Sequence, residues 1–121
     1  RFAASVESSA HENFKQTIID VKEGDTQLTL KELAPVRLIK NKFYQDVQEL
    51  YEKGTTKAEL VELLGRARAK RGMFEGDLIE GELEIGQIAG IIHEIKPAAA
   101  IIQEMIAEFR IAKEERIRFD F

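Results

Sequence analysis

Apolar residues recur at helical spacing along most of the chain. Phe14, Ile18 and Val21 share one face of a segment over 10–22, and Phe43, Val47, Leu50 and Tyr51 share one over 42–53. Leu60, Leu63, Leu64 and Ala67 repeat the pattern as far as Arg71. Ile85, Ile88, Ala89 and Ile92 mark a short helix; Ile101, Ile102, Met105, Ile106 and Phe109 mark a long final one reaching Ile117. Steps of three and four put such residues on one side of a helix, the side a folded chain turns inward. Two stretches read differently. Thr26, Leu28 and Leu30 alternate with Gln27 and Thr29, and Pro35-Val36-Arg37-Leu38-Ile39 follows closely, which predicts a loose β-hairpin. Phe2 to Val6 is short and apolar, as at the end of a buried strand.

Punctuation supports these boundaries. Ser9 with Glu12, and Thr56 with Glu59, have capping-box spacing: a hydroxyl accepts from the third residue's N–H while the carboxylate reaches back. Asn41 suits an N-cap, Gly24 and Gly54 suit helix stops, and Pro97 suits the first position of the last helix. The prediction is a mainly α chain with one short hairpin. It divides into 1–24, a hairpin and two-helix section over 25–71, and a glycine-rich loop with returning helices over 72–121.

The 121 residues make one domain's worth of chain, and 44 % hydrophobic with 33 % charged residues places it among globular sequences. The net charge is −4 with cations dispersed, so nucleic acid is not an expected partner. There is no cysteine, which removes disulfides and thiolate chemistry and fits a cytoplasmic setting. No apolar run approaches the ~20 residues of a membrane helix, so no membrane partner is expected.

Candidate chemistry is sparse. His11 reads as a capping or solvated residue beside Glu12, and His93 as a last-turn residue of the helix after Gly86. Neither has the spacing of a metal site, and none is expected. Glu75, Asp77, Glu80, Glu82 and Glu84 crowd one stretch that reads as a solvated loop; it lacks the ligand order of a calcium loop. Gly72, Gly76, Gly81, Gly86 and Gly90 interrupt the same stretch, which signals turns and close backbone approach. Gly86 and Gly90 fall on one helical face. No dinucleotide or P-loop spacing is present.

Three segments, in order, resemble the nitronate monooxygenases (formerly 2-nitropropane dioxygenases) and the related flavin-dependent enoyl-ACP reductases. They are Arg1-Phe2-Ala3 with Glu7-Ser8 and His11-Glu12-Asn13-Phe14-Lys15-Gln16; Asp25-Thr26 with Leu28-Thr29, then Pro35-Val36-Arg37 with Ile39 and Asn41; and Gly76-Asp77-Leu78 with Gly81, then Gly86-Gln87-Ile88-Ala89-Gly90-Ile91-Ile92. The resemblance implies a C-terminal fragment of a (β/α)8 TIM-barrel flavoprotein: the last barrel helix plus a small helical extension. It implies FMN at the barrel mouth, NAD(P)H as a candidate electron donor, and a small-molecule substrate. In that family the last strand ends in Gly-Thr-Arg-Phe, whose Gly and Thr help hold the FMN phosphate; this sequence opens at the Arg. Arg1, Gly86 and Gln87 are therefore the candidate cofactor-binding residues, and no catalytic residue is expected within this chain. Ile85 departs from the small residue many members carry before the Gly-Gln pair.

The expected activity of the intact enzyme is oxidation of alkyl nitronates, with enoyl-ACP reduction as the alternative; the fragment alone is expected to be inactive. A reading from another class is a stand-alone helical interaction module without cofactor. If the chain is a fragment, its partner is the missing N-terminal barrel portion. The faces bearing Phe14, Ile18, Ile88 and Ile92 should then be left bare, and the chain should self-associate.

Overall fold

A computed structural model describes residues 1–117; the end of the 72–121 section, past Ile117, lies outside the described residues. Five α-helices and one hairpin are present among the described residues: α1 (Glu12–Asp20), β1 (Thr26–Thr29), β2 (Val36–Ile39), α2 (Lys42–Glu52), α3 (Lys57–Leu64), α4 (Arg68–Met73) and α5 (Ala98–Ile117). Two 3-10 turns, Phe2–Ala4 and Gln87–Ile91, complete the element order.

The caps explain where the central helices start. Asn41 accepts from the Tyr44 N–H at 3.1 Å and begins α2. Thr56 and Glu59 form the predicted capping box and begin α3. Phe43 and Val47 then point one way from α2, as residues four apart must, and are fully buried with Leu30, Leu38 and Leu60. This is the core of the hairpin and two-helix section. A second core gathers Ala4, Phe14, Ile18, Val21, Leu83, Ile85, Ala89 and Ile92 around α1.

The hairpin is antiparallel, with Thr26 opposite Ile39 and Thr29 opposite Val36. The expected alternation fails. Thr29 is buried and Leu28 is 38 % exposed, while Leu30 is buried with φ +53°. That left-handed step after Thr29 ends the strand's period of two and turns Leu30 into the core beneath α2 and α3. The outer edge of β2 is occupied as well. Ile39 N–H donates to the Leu83 carbonyl at 3.1 Å and Ile85 N–H to the Arg37 carbonyl at 3.0 Å, with Leu38 bridged to Glu84.

Several expectations are corrected. Phe2 to Val6 is not a strand end; Phe2–Ala4 is a 3-10 turn, with Phe2 48 % and Val6 56 % exposed. Its hydrogen bonds close locally (Ala4 N–H to the Arg1 carbonyl) instead of along a neighbouring strand. Ser9 does not cap α1. The chain is held extended through His11 by an N–H bond to the Met73 carbonyl, so the helix begins later and His11 is its cap. Glu12 pairs forward with Lys15 at 3.0 Å. The helix foreseen as far as Arg71 breaks at Gly65 (φ +63°), because Arg68 folds back and donates to the Leu63 and Leu64 carbonyls that helix continuation would have used.

The short helix after Gly86 is a 3-10 turn, and His93 lies beyond its end. The faces foreseen as bare are mostly covered: Phe14, Ile18 and Ile92 are buried against each other and Leu83, Ile85 and Ala89, leaving Ile88 at 62 % exposure. The bare face belongs to α5. There Ile101 alone is buried, while Ile102, Met105, Ile106 and Phe109 stand exposed.

Candidate functional site

The acidic glycine-rich stretch is a folded connection, not the solvated loop expected from its charges. Gly72 is buried in α4, and a Cβ on Gly72 would meet Leu83 Cδ2 at 2.7 Å and the Glu82 carbonyl at 2.8 Å. Gly81 packs against the Asp77 carbonyl and the Gly72 backbone. Asp77 Oδ1 accepts from the N–H groups of Ile79 and Glu80, and its other oxygen meets Arg71. The Glu80 N–H, then Arg71, hold the Asp77 carboxyl below its ordinary range. Glu82 is buried and behaves oppositely: burial first, then the neighbouring Glu84, raise its pKa. Two side chains tie this connection to the helices. Asn41 Nδ2 donates to the carbonyls of Leu78, Ile79 and Gly81, and Arg68 donates to the Glu80 carbonyl at 2.8 Å.

This frame presents the turn Gln87–Ile91 next to the end of α1. Gly90 sits against that end; a Cβ there would lie 3.6 Å from the Glu23 nitrogen. Between the two runs a cleft of about 320 Å³, lined by Lys22, Glu23, Gly24, Thr26, Gln87, Gly90 and Ile91. Asp25 Oδ2 accepts from the Lys22 N–H and Lys40 Nζ donates to the Gly24 carbonyl, which fix the opposite wall. Gly86, at the turn's start, faces open space: a Cβ there would meet nothing within 4 Å. The close approach expected of both glycines is found at neither: a Cβ on Gly90 would make ordinary van der Waals contact and one on Gly86 would meet open space. Gln87 is exposed in the cleft wall, with Ile88 and Ile91 each 62 % exposed beside it.

Arg1 lies elsewhere. It borders a smaller pocket of about 130 Å³ with His93, Glu94, Lys96 and Glu104, and its guanidinium makes an exposed ion pair with Glu108 at 3.4 Å. Ile91 lines both cavities. The structure thus puts Gln87 in one cleft and Arg1 in its neighbour. The Lys22–Thr26 wall was missed by sequence reasoning; the turn at Gly24 was its one visible signal. Among the described residues no three His, Cys, Asp or Glu side chains gather as a metal site, and no helix is long and apolar enough to cross a membrane.

No family model and no curated protein matches the chain. Solved structures do. The chain is similar to FabK from Thermotoga maritima, with 33 % identity and a TM-score of 0.86 over 99 % of its own length. A mutant of the same protein gives 32 % identity and a TM-score of 0.80, again over 99 % of this chain. The chain spans 38 % and 35 % of those two structures, little more than a third of their length. The likeness fits a portion of a TIM barrel.

Proposed function

We propose that this chain is part of an FMN-dependent oxidoreductase that reduces enoyl thioesters carried on acyl carrier protein, with NAD(P)H as the electron donor. The observation that carries the reading is the likeness to FabK, a flavin-dependent enoyl-ACP reductase, across 99 % of this chain at 32–33 % identity. Nitronate oxidation shares the sequence motifs and the cofactor class. The FabK likeness weighs toward enoyl reduction. A cytoplasmic setting fits the cysteine-free composition.

The Gly86-Gln87 turn fits a flavin's edge. An open glycine backbone, an exposed amide and an apolar rim from Ile88 and Ile91 are the groups a flat, hydrogen-bonding ring needs. When bound, the flavin supplies hydride transfer; the protein's part is to place it and exclude water. Gln87 would orient the ring edge, and the Ile88–Ile91 rim would shield it. Arg1, in the adjoining pocket, would contribute at the phosphate end. The remaining cofactor contacts and the proton-handling groups are assigned to the barrel portion, which would also cover the bare face of α5.

Gel filtration of this chain with FMN tests the assignment: the chain alone should elute without stoichiometric flavin, and tight retention would overturn it. The choice of substrate is tested on the protein from the complete reading frame. NAD(P)H consumption with a crotonyl thioester is expected; oxygen uptake with ethyl nitronate in its place would support the nitronate reading.

A further inference from the structure

Strand β1 borders a second cleft, of about 230 Å³, between the hairpin and α2. Tyr44, Gln48 and Tyr51 line it at steps of four and three, which puts them on one stripe of α2. Gln27, Thr29, Lys31 and Glu32 line it from the hairpin side. The two walls are tied together. Tyr51 donates its hydroxyl proton to Glu32 Oε2, and Gln48 Nε2 donates to Thr29 Oγ1 at 3.4 Å. Lys31 and Glu32 ride on a turn that opens at Leu30, where φ is +53°, and closes with the Leu33 N–H on the Leu30 carbonyl at 3.0 Å. A left-handed leucine costs backbone strain, and here it holds Lys31 and Glu32 against the α2 stripe.

The core beneath is closed by Leu30, Leu38, Phe43, Val47 and Leu60, and the two tyrosines only flank it. Half-buried tyrosine rings offer faces to a flat ligand. Gln27 and Gln48 each bring an amide donor and an amide acceptor. The Tyr51 hydroxyl holds the Glu32 carboxyl below its ordinary range, so it is an anion with lone pairs left for hydroxyl donors. Lys31 stands exposed at the rim. A nucleotide brings a partner to each group: a base for the tyrosines, its edge for the amides, ribose hydroxyls for the carboxylate and phosphate for the lysine. Adenine is the base whose N6 amino group and N7 match a glutamine amide. The cleft is smaller than the ~300–1,000 Å³ of pockets that hold whole ligands, so it takes one end of a larger molecule.

We propose that this cleft binds an adenine nucleotide, and that in the flavoenzyme it seats the adenosine end of the nicotinamide donor. The first clause rests on this chain alone; the second rests on the function proposed above. Thr26 lines the cleft at Gln87 and Gln27 lines this one. The strand between them, Thr26–Thr29, spans about 10–13 Å at ~3.3 Å per residue. A dinucleotide bridges such a separation with its nicotinamide beside the flavin.

Titration of AMP into the isotope-labelled chain, followed by NMR, tests the site. The side-chain amides of Gln27 and Gln48 and the backbone amide of Lys31 should shift together and saturate, with a Kd on the order of 1 mM. Ribose 5-phosphate, which brings no base, should leave the glutamine signals in place. Tyr44→Leu keeps the packing and removes the ring, and should weaken AMP about tenfold. Lys31→Ala, at an exposed position, should weaken AMP about threefold and leave adenosine unchanged. No saturable shift by about 10 mM AMP, equal shifts with ribose 5-phosphate, or unchanged AMP affinity in both variants would overturn the site. Should Tyr44→Leu fail to fold, Lys31→Ala decides. In the protein from the complete reading frame, Lys31→Ala should raise the KM for NAD(P)H about threefold, with the thioester KM and the retained FMN unchanged. An unmoved KM for NAD(P)H would overturn the adenosine assignment. A protein that oxidises no NAD(P)H while AMP still saturates the cleft would sink the flavoenzyme reading and leave the nucleotide site standing.

Discussion

The guanidinium of Arg68 lies 4.6 Å from the centre of the Phe43 ring. The same group donates to the carbonyls of Leu63, Leu64 and Glu80, so one side chain ends α3, holds the acidic connection and covers the core beneath α2. Arg68→Ala is expected to cost about 2–4 kcal/mol, from three lost charge-assisted bonds and a cation–π contact. Arg68→Lys keeps the charge but cannot fork, and should lose about half as much. Urea unfolding of the three proteins measures this.

Asn41 combines an N-cap with three donations to the carbonyls of Leu78, Ile79 and Gly81. Asn41→Ser preserves the cap and abolishes the donations; Asn41→Ala abolishes both. The expected order of stability is Asn, then Ser, then Ala, with Asn41→Ala costing about 2–3 kcal/mol. Equal losses for Ser and Ala would show the cap to be without weight.

Two glycines should respond in opposite ways. A Cβ on Gly81 would collide with Gly72 backbone, whereas Gly86 has open space around it. Gly81→Ala should destabilise by about 3 kcal/mol or more, since backbone cannot give way as a side chain tip can. Gly86→Ala should leave Tm within about a degree, because exposed, unstrained sites tolerate change. On the proposed flavoenzyme reading, Gly86→Ala in the whole protein should nonetheless weaken FMN retention, which would separate a ligand-facing glycine from a packing one.

Glu82 is buried and its carboxyl is raised, chiefly by burial. A carboxyl whose folded pKa exceeds its unfolded value favours folding when protonated, and that contribution is lost as pH rises from the ordinary glutamate range upward. Glu82→Gln should therefore be more stable than wild type at neutral pH, with the gap closing toward about pH 4. A constant gap across pH would place its cause in packing.

The face of α5 bearing Ile102, Met105, Ile106 and Phe109 is exposed. Light scattering on the isolated chain should show association that grows with concentration, and Ile106→Glu with Phe109→Glu should return it to monomer. A wild-type monomer at high concentration would count against this.

The sequence by itself determined the elements that local chemistry specifies. Asn41 and the Thr56–Glu59 box start their helices because caps act within one turn. Phe43 and Val47 declared the inward face of α2 by spacing alone. The glycines at 72 and 81 declared close packing, though not with what. Tertiary structure decided the rest. Arg68 broke the run foreseen to Arg71 by capturing carbonyls far enough back to end α3. Met73 displaced the start of α1 from Ser9 to His11 by claiming a backbone donor. Phe14 and Ile18 found cover from Leu83 and Ile85, segments 65 or more residues away that periodicity cannot pair. The cleft at Gln87 was legible on one side only, for the same reason: its turn carries a motif, and its Lys22–Thr26 wall is brought there by packing between distant parts of the chain.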